Sequence, residues 1–336
     1  MDRLAPTGCV KYKKIFVFGK RSQIVSFLEE PVPPRGIILP VLPGVSRIVA
    51  DNPSAMTYHG TNSWLIESGK DVVVIDPGPE DEKHLHDVLA GIKERTLKYI
   101  LLTHTHPDHS GNAMALKEAT GAPIAVYKRP FKKNIIPDVA LDDGEVIEGF
   151  TAIYTPGHAR DHLSFQFFGQ NGAKILFSGD HVMSWSSSIV NPPDGDMLSY
   201  YRSLELLLHR DDDLYLCGHG PMLKNPRILV AELLAHRQLR EKTIIAELQA
   251  QDWGVASLAA KLYHKENAFL KIAAQRNVLA HLLKLTAEGI AEEHQPDTTP
   301  HPDVVAMINA HGTPNNATTR LIYQDSLRKF GLAKAA

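Results

Sequence analysis

Residues 103–112 read THTHPDHSGN, and the run that leads into them, LKYILLT (97–103), is apolar and of strand length. Three histidines and one aspartate fall between His104 and His109. In extended backbone, residues two apart point the same way, so His104 and His106 can converge on one point. Asp108 and His109 then stand beside them. With 17 histidines in 336 residues, this clustering is not what scatter gives. Imidazole suits zinc, iron and similar borderline metals, and a carboxylate adds the charge a second ion needs.

Upstream, GTNSWLIES (60–68) and DVVVIDPG (71–78) read as strands. The second is apolar on both faces and belongs in the middle of a sheet. EDEKHLHDVLAGIKER (80–95) has apolar residues at helical spacing, an acidic start and a basic end, so it reads as a helix with His84 and His86 in solvent. SGNAMALKEAT begins another helix. This order sets the histidine cluster at the C-terminal end of a strand, where open α/β sheets gather their sites.

Downstream, EVIEGFTAIYTPGH, LSFQFF and AKILFSGDH read as strands joined by short turns, MLSYYRSLELLLHR (197–210) as a helix, and DLYLCGHG (213–220) as a strand. Several of these strands end on a further donor. His158 follows TPG, Asp180 follows SG, and His219 lies between glycines.

After Pro226 the pattern turns helical. ILVAELLAHRQLREKTIIAELQAQ is one long helix, with Ile228, Leu229, Leu233 and Leu234 on a face suited to packing on the rest of the chain or on a second subunit as a homodimer. SLAAKLYH and FLKIAAQRNVLAHLLKLTAEG complete a compact module in winged-helix order. The expected organisation is therefore an N-terminal extension over 1–33, a catalytic domain over 34–223, a winged-helix-like helical domain over 224–292, and a linker with a C-terminal tail over 293–336.

Composition narrows the class. Hydrophobic content of 43%, charged content of 22% and a net charge of -2 describe an ordinary folded chain, with no global attraction to nucleic acid or an anionic membrane. No stretch approaches the roughly 20 apolar residues of a membrane span. The two cysteines, Cys9 and Cys217, form no CxxC pair, and no export signal is visible, which points to a reducing, cytoplasmic setting.

HTHPDH, TPGH, SGDH and CGHG, in this order, resemble the metallo-β-lactamase superfamily over about residues 34–223. The resemblance implies an α/β fold, a four-layer αβ/βα sandwich with a dinuclear metal site between its two sheets. It implies that His104, His106 and His158 hold one metal, that Asp108, His109 and His219 hold the other, and that Asp180 bridges them. Asp76, in VIDPGP, matches a family aspartate that supports a ligand histidine. GTNSWLI, TPGHARDH and the helices after GHGP are similar to the LACTB2-like subgroup, which carries a C-terminal winged-helix-like domain and includes single-strand endoribonucleases. The implied cofactor is two Zn²⁺, with iron or manganese as alternatives.

Charge counting shows what such a site does. Two Zn²⁺ against Asp108, Asp180 and a bridging hydroxide leave about one positive charge, suited to an anionic transition state. Zinc brings the pKa of bound water to roughly 7. The reaction class is hydrolysis of an ester, thioester, phosphodiester or amide-type substrate by a metal-bridging hydroxide, with Asp108 and Asp180 acting through the ions and His162 or His181 assisting proton transfer. The alternatives are a single-strand endoribonuclease and a mononuclear iron enzyme similar to persulfide dioxygenases.

Three departures narrow the relatives. Asp180 stands where some true β-lactamases have cysteine, His106 where diiron oxygen reductases have glutamate, and the gap from Asp180 to His219 is too short for the clamp domain of some nucleases. The loop HVMSWSSSIVNPPDGD (181–196) is expected to line the pocket, with Trp185 stacking on substrate or covering the core. YKRPFKKN (127–134) interleaves Tyr127 and Phe131 with Lys128 and Arg129, which could contact a small-molecule or single-stranded nucleic-acid substrate; a solvated loop is the other reading.

Overall fold

The computed structural model describes residues 11–17, 23–132, 135–264, 268–302, 304–305 and 317–333. They fall into two compact units. One holds the described residues up to Ser188 together with Tyr201–Leu234; the other holds Ile189–Tyr200 and the described residues from Ala235 on.

The first unit opens with an antiparallel hairpin, β1 (Lys11–Val17) and β2 (Gln23–Glu29). A seven-stranded sheet follows, in the order β3 (Leu39–Leu42), β4 (Val45–Val49), β5 (Asn62–Ser68), β6 (Asp71–Ile75), β7 (Thr96–Leu101), β8 (Ile124–Tyr127) and β9 (Val139–Leu141). β3 to β6 pair antiparallel and β6 to β9 parallel. The parallel part is connected through α1 (Glu82–Ile92), the single turn α2 (Pro107–Ser110) and α3 (Ala113–Thr120).

A second sheet has six strands in sequence order: β10 (Val146–Ile147), β11 (Phe150–Tyr154), β12 (Leu163–Phe168), β13 (Lys174–Gly179), β14 (Leu214–Cys217) and β15 (Leu223–Lys224). Only β13 and β14 run parallel, and the crossover between them contains α4 (Met197–Leu208).

Side-chain alternation explains the layering. Val73 and Ile75 of β6 join Trp64, Phe150, Phe165, Phe177 and Leu216 in a core built from both sheets. Val72 and Val74, one residue out of phase, join Val88, Ile92 and Leu116 under the helices. A strand buried on both faces has to be apolar throughout, which is why VVVI carries no alternation.

Two expectations for this unit are corrected. His84 does not stand in solvent. It lies on the buried face of α1 in register with Val88 and Ile92, only 3% exposed, with Nε2 2.8 Å from Ser63 Oγ. His86, two residues on, is exposed. The hairpin is not an appended extension either: Val25, Phe27 and Leu28 are buried, and Leu28 N donates to Ser184 O at 2.8 Å.

The boundary between units falls within α5 (Pro226–Ala250). On its first turns Leu229 and Leu233 are buried, while Ile228 is 63% exposed, so within the chain these residues do not share one buried face. The second unit adds α6 (Val255–Leu262), α7 (Ala268–Ala287) and α8 (Ala317–Ser326). Its sheet has the order β16 (Trp253–Gly254), β18 (Lys329–Leu332), β17 (Ala291–His294). Ile244, Leu248, Val255, Leu258, Leu279, Leu282 and Phe330 form its core. The segment expected as linker and tail thus supplies the central strand, because KFGL finds its partners far away in sequence. Among the described residues, no helix is long and apolar enough to cross a membrane.

Candidate metal centre

Five strand ends meet here. Asp76 follows β6, the His104–His109 segment follows β7, His158 follows β11, Asp180 follows β13 and His219 follows β14. Pro107 opens α2, its fixed φ pre-set for the turn. His109 N and Ser110 N donate to His106 O at 3.0 and 2.9 Å. The tight turn separates the Asp108/His109 pair from the extended His104/His106 pair.

The donors assemble into two groups: His104, His106 and His158, then Asp108, His109, Asp180 and His219, with the donor atoms of each group within 4.8 Å of one another. In the first, His106 Nδ1 lies 3.0 Å from both His104 Nε2 and His158 Nε2. In the second, His219 Nε2 lies 3.3 Å from Asp108 Oδ2 and from Asp180 Oδ2, and His109 Nε2 lies 3.5 Å from each. Asp180 Oδ2 is also 3.8 Å from His158 Nε2, so one carboxylate faces both groups.

Proton accounting fixes the tautomers. Thr103 Oγ1 donates to Asp76 Oδ2 at 2.7 Å, which uses its one proton. His104 Nδ1, 3.0 Å from the same hydroxyl, must therefore donate to it, and the Nε2 lone pair faces the site. His109 Nδ1 donates to Asp76 Oδ2 at 2.9 Å, and His219 Nδ1 to Gly60 O at 3.3 Å. Each leaves Nε2 turned inward, buried and without a hydrogen bond, as is Asp180 Oδ1. Buried polar atoms are nearly always satisfied. Inward lone pairs facing carboxylate oxygens are what a cation requires, so these residues fit divalent metal ions.

Neighbouring backbone is shaped to allow this. A Cβ at Gly218 would come 2.4 Å from Asp180 Oδ1 and 2.6 Å from His109 Cε1. Asn62 Nδ2 donates to the carbonyls of Cys217 and Gly220, on either side of His219, at 3.0 and 2.9 Å. Arg47, ion-paired with Glu30 at 2.6 Å, also donates to Gly220 O.

The electrostatics agree. Burial opposes charge on His219, yet Asp180 and Asp108 outweigh it and raise its pKa to about 9. Burial is likewise outweighed by Asp180, Asp108 and Asp76 at His109, whose pKa rises. The site attracts positive charge where the carboxylates sit. His104 goes the other way: burial and the surrounding imidazoles hold it neutral.

The sequence profile of the Metallo-beta-lactamase superfamily matches residues 56–219, and that of the Beta-lactamase associated winged helix domain matches 255–297. A relative in Drosophila melanogaster, "Beta-lactamase-like protein 2 homolog", is 32% identical over 276 residues, covering 73% of this chain and 88% of the relative. The chain belongs to the metallo-β-lactamase superfamily. It is an enzyme of that superfamily's metal-dependent hydrolase kind, with a winged-helix domain at its C-terminal side. A second relative, "Atrochrysone carboxyl ACP thioesterase" of Aspergillus chevalieri, is 30% identical over 243 residues, 66% of this chain and 72% of the relative. In fold, the chain is similar to a beta-lactamase domain protein from Burkholderia ambifaria, with a TM-score of 0.70, 19% identity, and coverage of 90% of this chain and 95% of that one.

The other residues singled out in this metallo-β-lactamase superfamily chain stand in varied surroundings. His162 has both ring nitrogens committed: Nε2 accepts from Asp180 N at 3.2 Å, so Nδ1 carries the proton and donates to Thr155 Oγ1 at 2.9 Å. In this geometry neither nitrogen is left for proton transfer. His181 is fully buried, and burial pushes its pKa down to about 3, so it is neutral near pH 7. Trp185 stacks on Tyr58 with ring centroids 4.8 Å apart, beside Gly220. Lys128 is ion-paired with Asp142, and Arg129 is exposed. Lys133 and Asn134, at the end of that stretch, lie outside the described residues. Sequence reasoning missed Thr103, Asn62 and Thr105. Thr103 and Thr105 flank His104, and that placement was the signal available; Asn62 has no donor motif beside it in sequence and meets the site only through the carbonyls around His219.

Proposed function

We propose that the chain is a dinuclear zinc-dependent hydrolase that cleaves an ester-type substrate, with thioesters the first class to test. The observation that carries this reading is Asp180 Oδ2, which faces the three-histidine group and the Asp108/His109/His219 group together. His104, His106 and His158 would hold one ion; Asp108, His109 and His219 the other; Asp180 would lie between them. Two bound ions would supply Lewis acidity toward a carbonyl or phosphoryl oxygen and a nucleophilic water near neutral pH.

The chain's own residues orient that chemistry. Asp76 holds His109 and Thr103, and Thr103 holds His104. His162 fixes the backbone N–H of Asp180. Burial of the donor set excludes water from their outer sides, which strengthens each charge interaction.

All donors are imidazole or carboxylate, which suits zinc and also accommodates iron or manganese. The complete second group supports two ions over a single iron. The thioesterase name of the Aspergillus relative supports a carbonyl substrate over single-stranded nucleic acid, as does the engagement of Lys128 by Asp142. The free, buried Cys217, whose pKa burial raises to about 11, suits a cytoplasmic enzyme that uses no thiol.

The experiment is turnover of acyl thioesters, aryl esters, lactams and phosphodiesters by zinc-loaded protein, each with and without a chelator. Chelator-sensitive thioester or ester cleavage is expected. Chelator-sensitive cleavage of labelled single-stranded RNA alone would move the reading to a nuclease.

A further inference from the structure

We infer that Asp161 is a positioning residue that sets the His104/His106 segment and docks the loop over residues 128–132 beside it. Asp161 is fully buried, and so is Thr105, which stands between the two histidines. One carboxylate oxygen, Asp161 Oδ2, accepts from Thr105 Oγ1 at 2.5 Å and from Phe131 N at 2.7 Å. Thr105 Oγ1 in turn accepts from Lys132 N at 3.1 Å. These bonds form one network that joins three chain segments far apart in sequence.

Beyond the end of β7 the chain stays open up to α2, with His106 extended at φ -63° and ψ 148°. In extended backbone, the side chain at 105 points opposite to those at 104 and 106. Fixing Thr105 on one side fixes the rotation of the segment, and with it the direction of both imidazoles on the other. Asp161 lies three residues after His158, and Leu163 N donates to Thr103 O at 2.6 Å, so the His158 segment is tied to the same place. One buried oxygen that accepts both bonds ties the two donors together, and burial increases the weight of each bond.

The loop held on the other side is the basic, aromatic one. It presents Phe131, 39% exposed, with the Arg160 guanidinium 4.8 Å from the ring centroid. Donor geometry and loop position therefore depend on the same carboxylate. The inference rests on the metal reading above.

The test compares full-length wild type with Asp161→Ala, Asp161→Asn and Thr105→Val, with melting temperature recorded for each. Two quantities are read: zinc affinity of metal-stripped protein, by competition with a chromogenic chelator, and the rate of tryptic cutting at Lys128 and Lys132. A single amide oxygen can accept both bonds that Oδ2 receives, so Asp161→Asn should stay near wild type in both. Asp161→Ala should weaken zinc affinity roughly 10–100-fold, as loss of a partner behind metal ligands does, and should speed cutting of the loop. Thr105→Val should weaken affinity in the same direction. Wild-type affinity in Asp161→Ala, or an unchanged cutting rate, overturns the inference, whatever happens to the melting temperature. A wild-type protein that binds no zinc would instead overturn the metal reading.

Discussion

Asp76 accepts three hydrogen bonds on two oxygens, from Thr103 N, Thr103 Oγ1 and His109 Nδ1, at a backbone φ of 53°. Asparagine and aspartate tolerate this left-handed region better than most residues. Asp76→Ala would strip a partner from buried donors and add backbone strain. The expected cost is about 1–3 kcal/mol in folding stability for each donor left unsatisfied. Metal affinity is expected to fall roughly 10–100-fold, because His109 loses its orienting bond. Urea unfolding and chelator competition measure the two effects, and a variant with wild-type metal affinity would separate Asp76 from the centre. His162 shows the same economy of protons. The sequence offered it for proton transfer, but its place beside Asp180 is set by a backbone N–H that no residue pattern displays.

Among elements, α1 gives a pH prediction. Burial lowers the pKa of His84 to about 4, against 6.5 in an unfolded chain, so the folded state keeps it neutral. Between these values the unfolded chain binds the proton first. The contribution to stability is therefore complete above about pH 6.5 and is lost as pH falls toward 4, to a ceiling of about 3 kcal/mol. His84→Gln, which does not titrate, should flatten the pH dependence of the urea midpoint in that window; an unchanged slope would place the acid sensitivity elsewhere. The same helix marks the limit of pattern reading. Its ends and apolar face follow from EDEKHLHDVLAGI, yet a histidine in the buried register looks polar until Ser63 is found opposite it. The strand ends were more legible. VVVI, LLT and LYLC are apolar because both faces are covered, and the donors follow directly, so buried strands ending on candidate ligands could be read from local sequence, while the sandwich and the grouping of the donors came from the resemblance of the motifs in their order. Asp161 could not, because its partners at Thr105 and Phe131 come from other loops.

For the whole molecule, the division into units locates an unexpected dependence on the last residues of the chain. β18 is the middle strand of the C-terminal sheet, and Phe330 is fully buried in its core. KFGL carries too few residues to announce itself, and its pairing with β17 spans a long connection. A chain ending at Ser326 would lose that strand, and the loss of one buried phenylalanine alone costs about 3–5 kcal/mol. Hydrogen exchange should then show α6 and α7 losing protection while β6 and β13 of the sandwich keep theirs; full protection in α7 would contradict this account of the C-terminal core. The reading proposed above has seven donors from four strand ends making one two-ion centre. Metal analysis of folded, zinc-reconstituted protein after gel filtration tests it most directly. About two zinc ions per chain are expected. About one ion per chain, or iron taken up alone at that ratio with zinc refused, would contradict it.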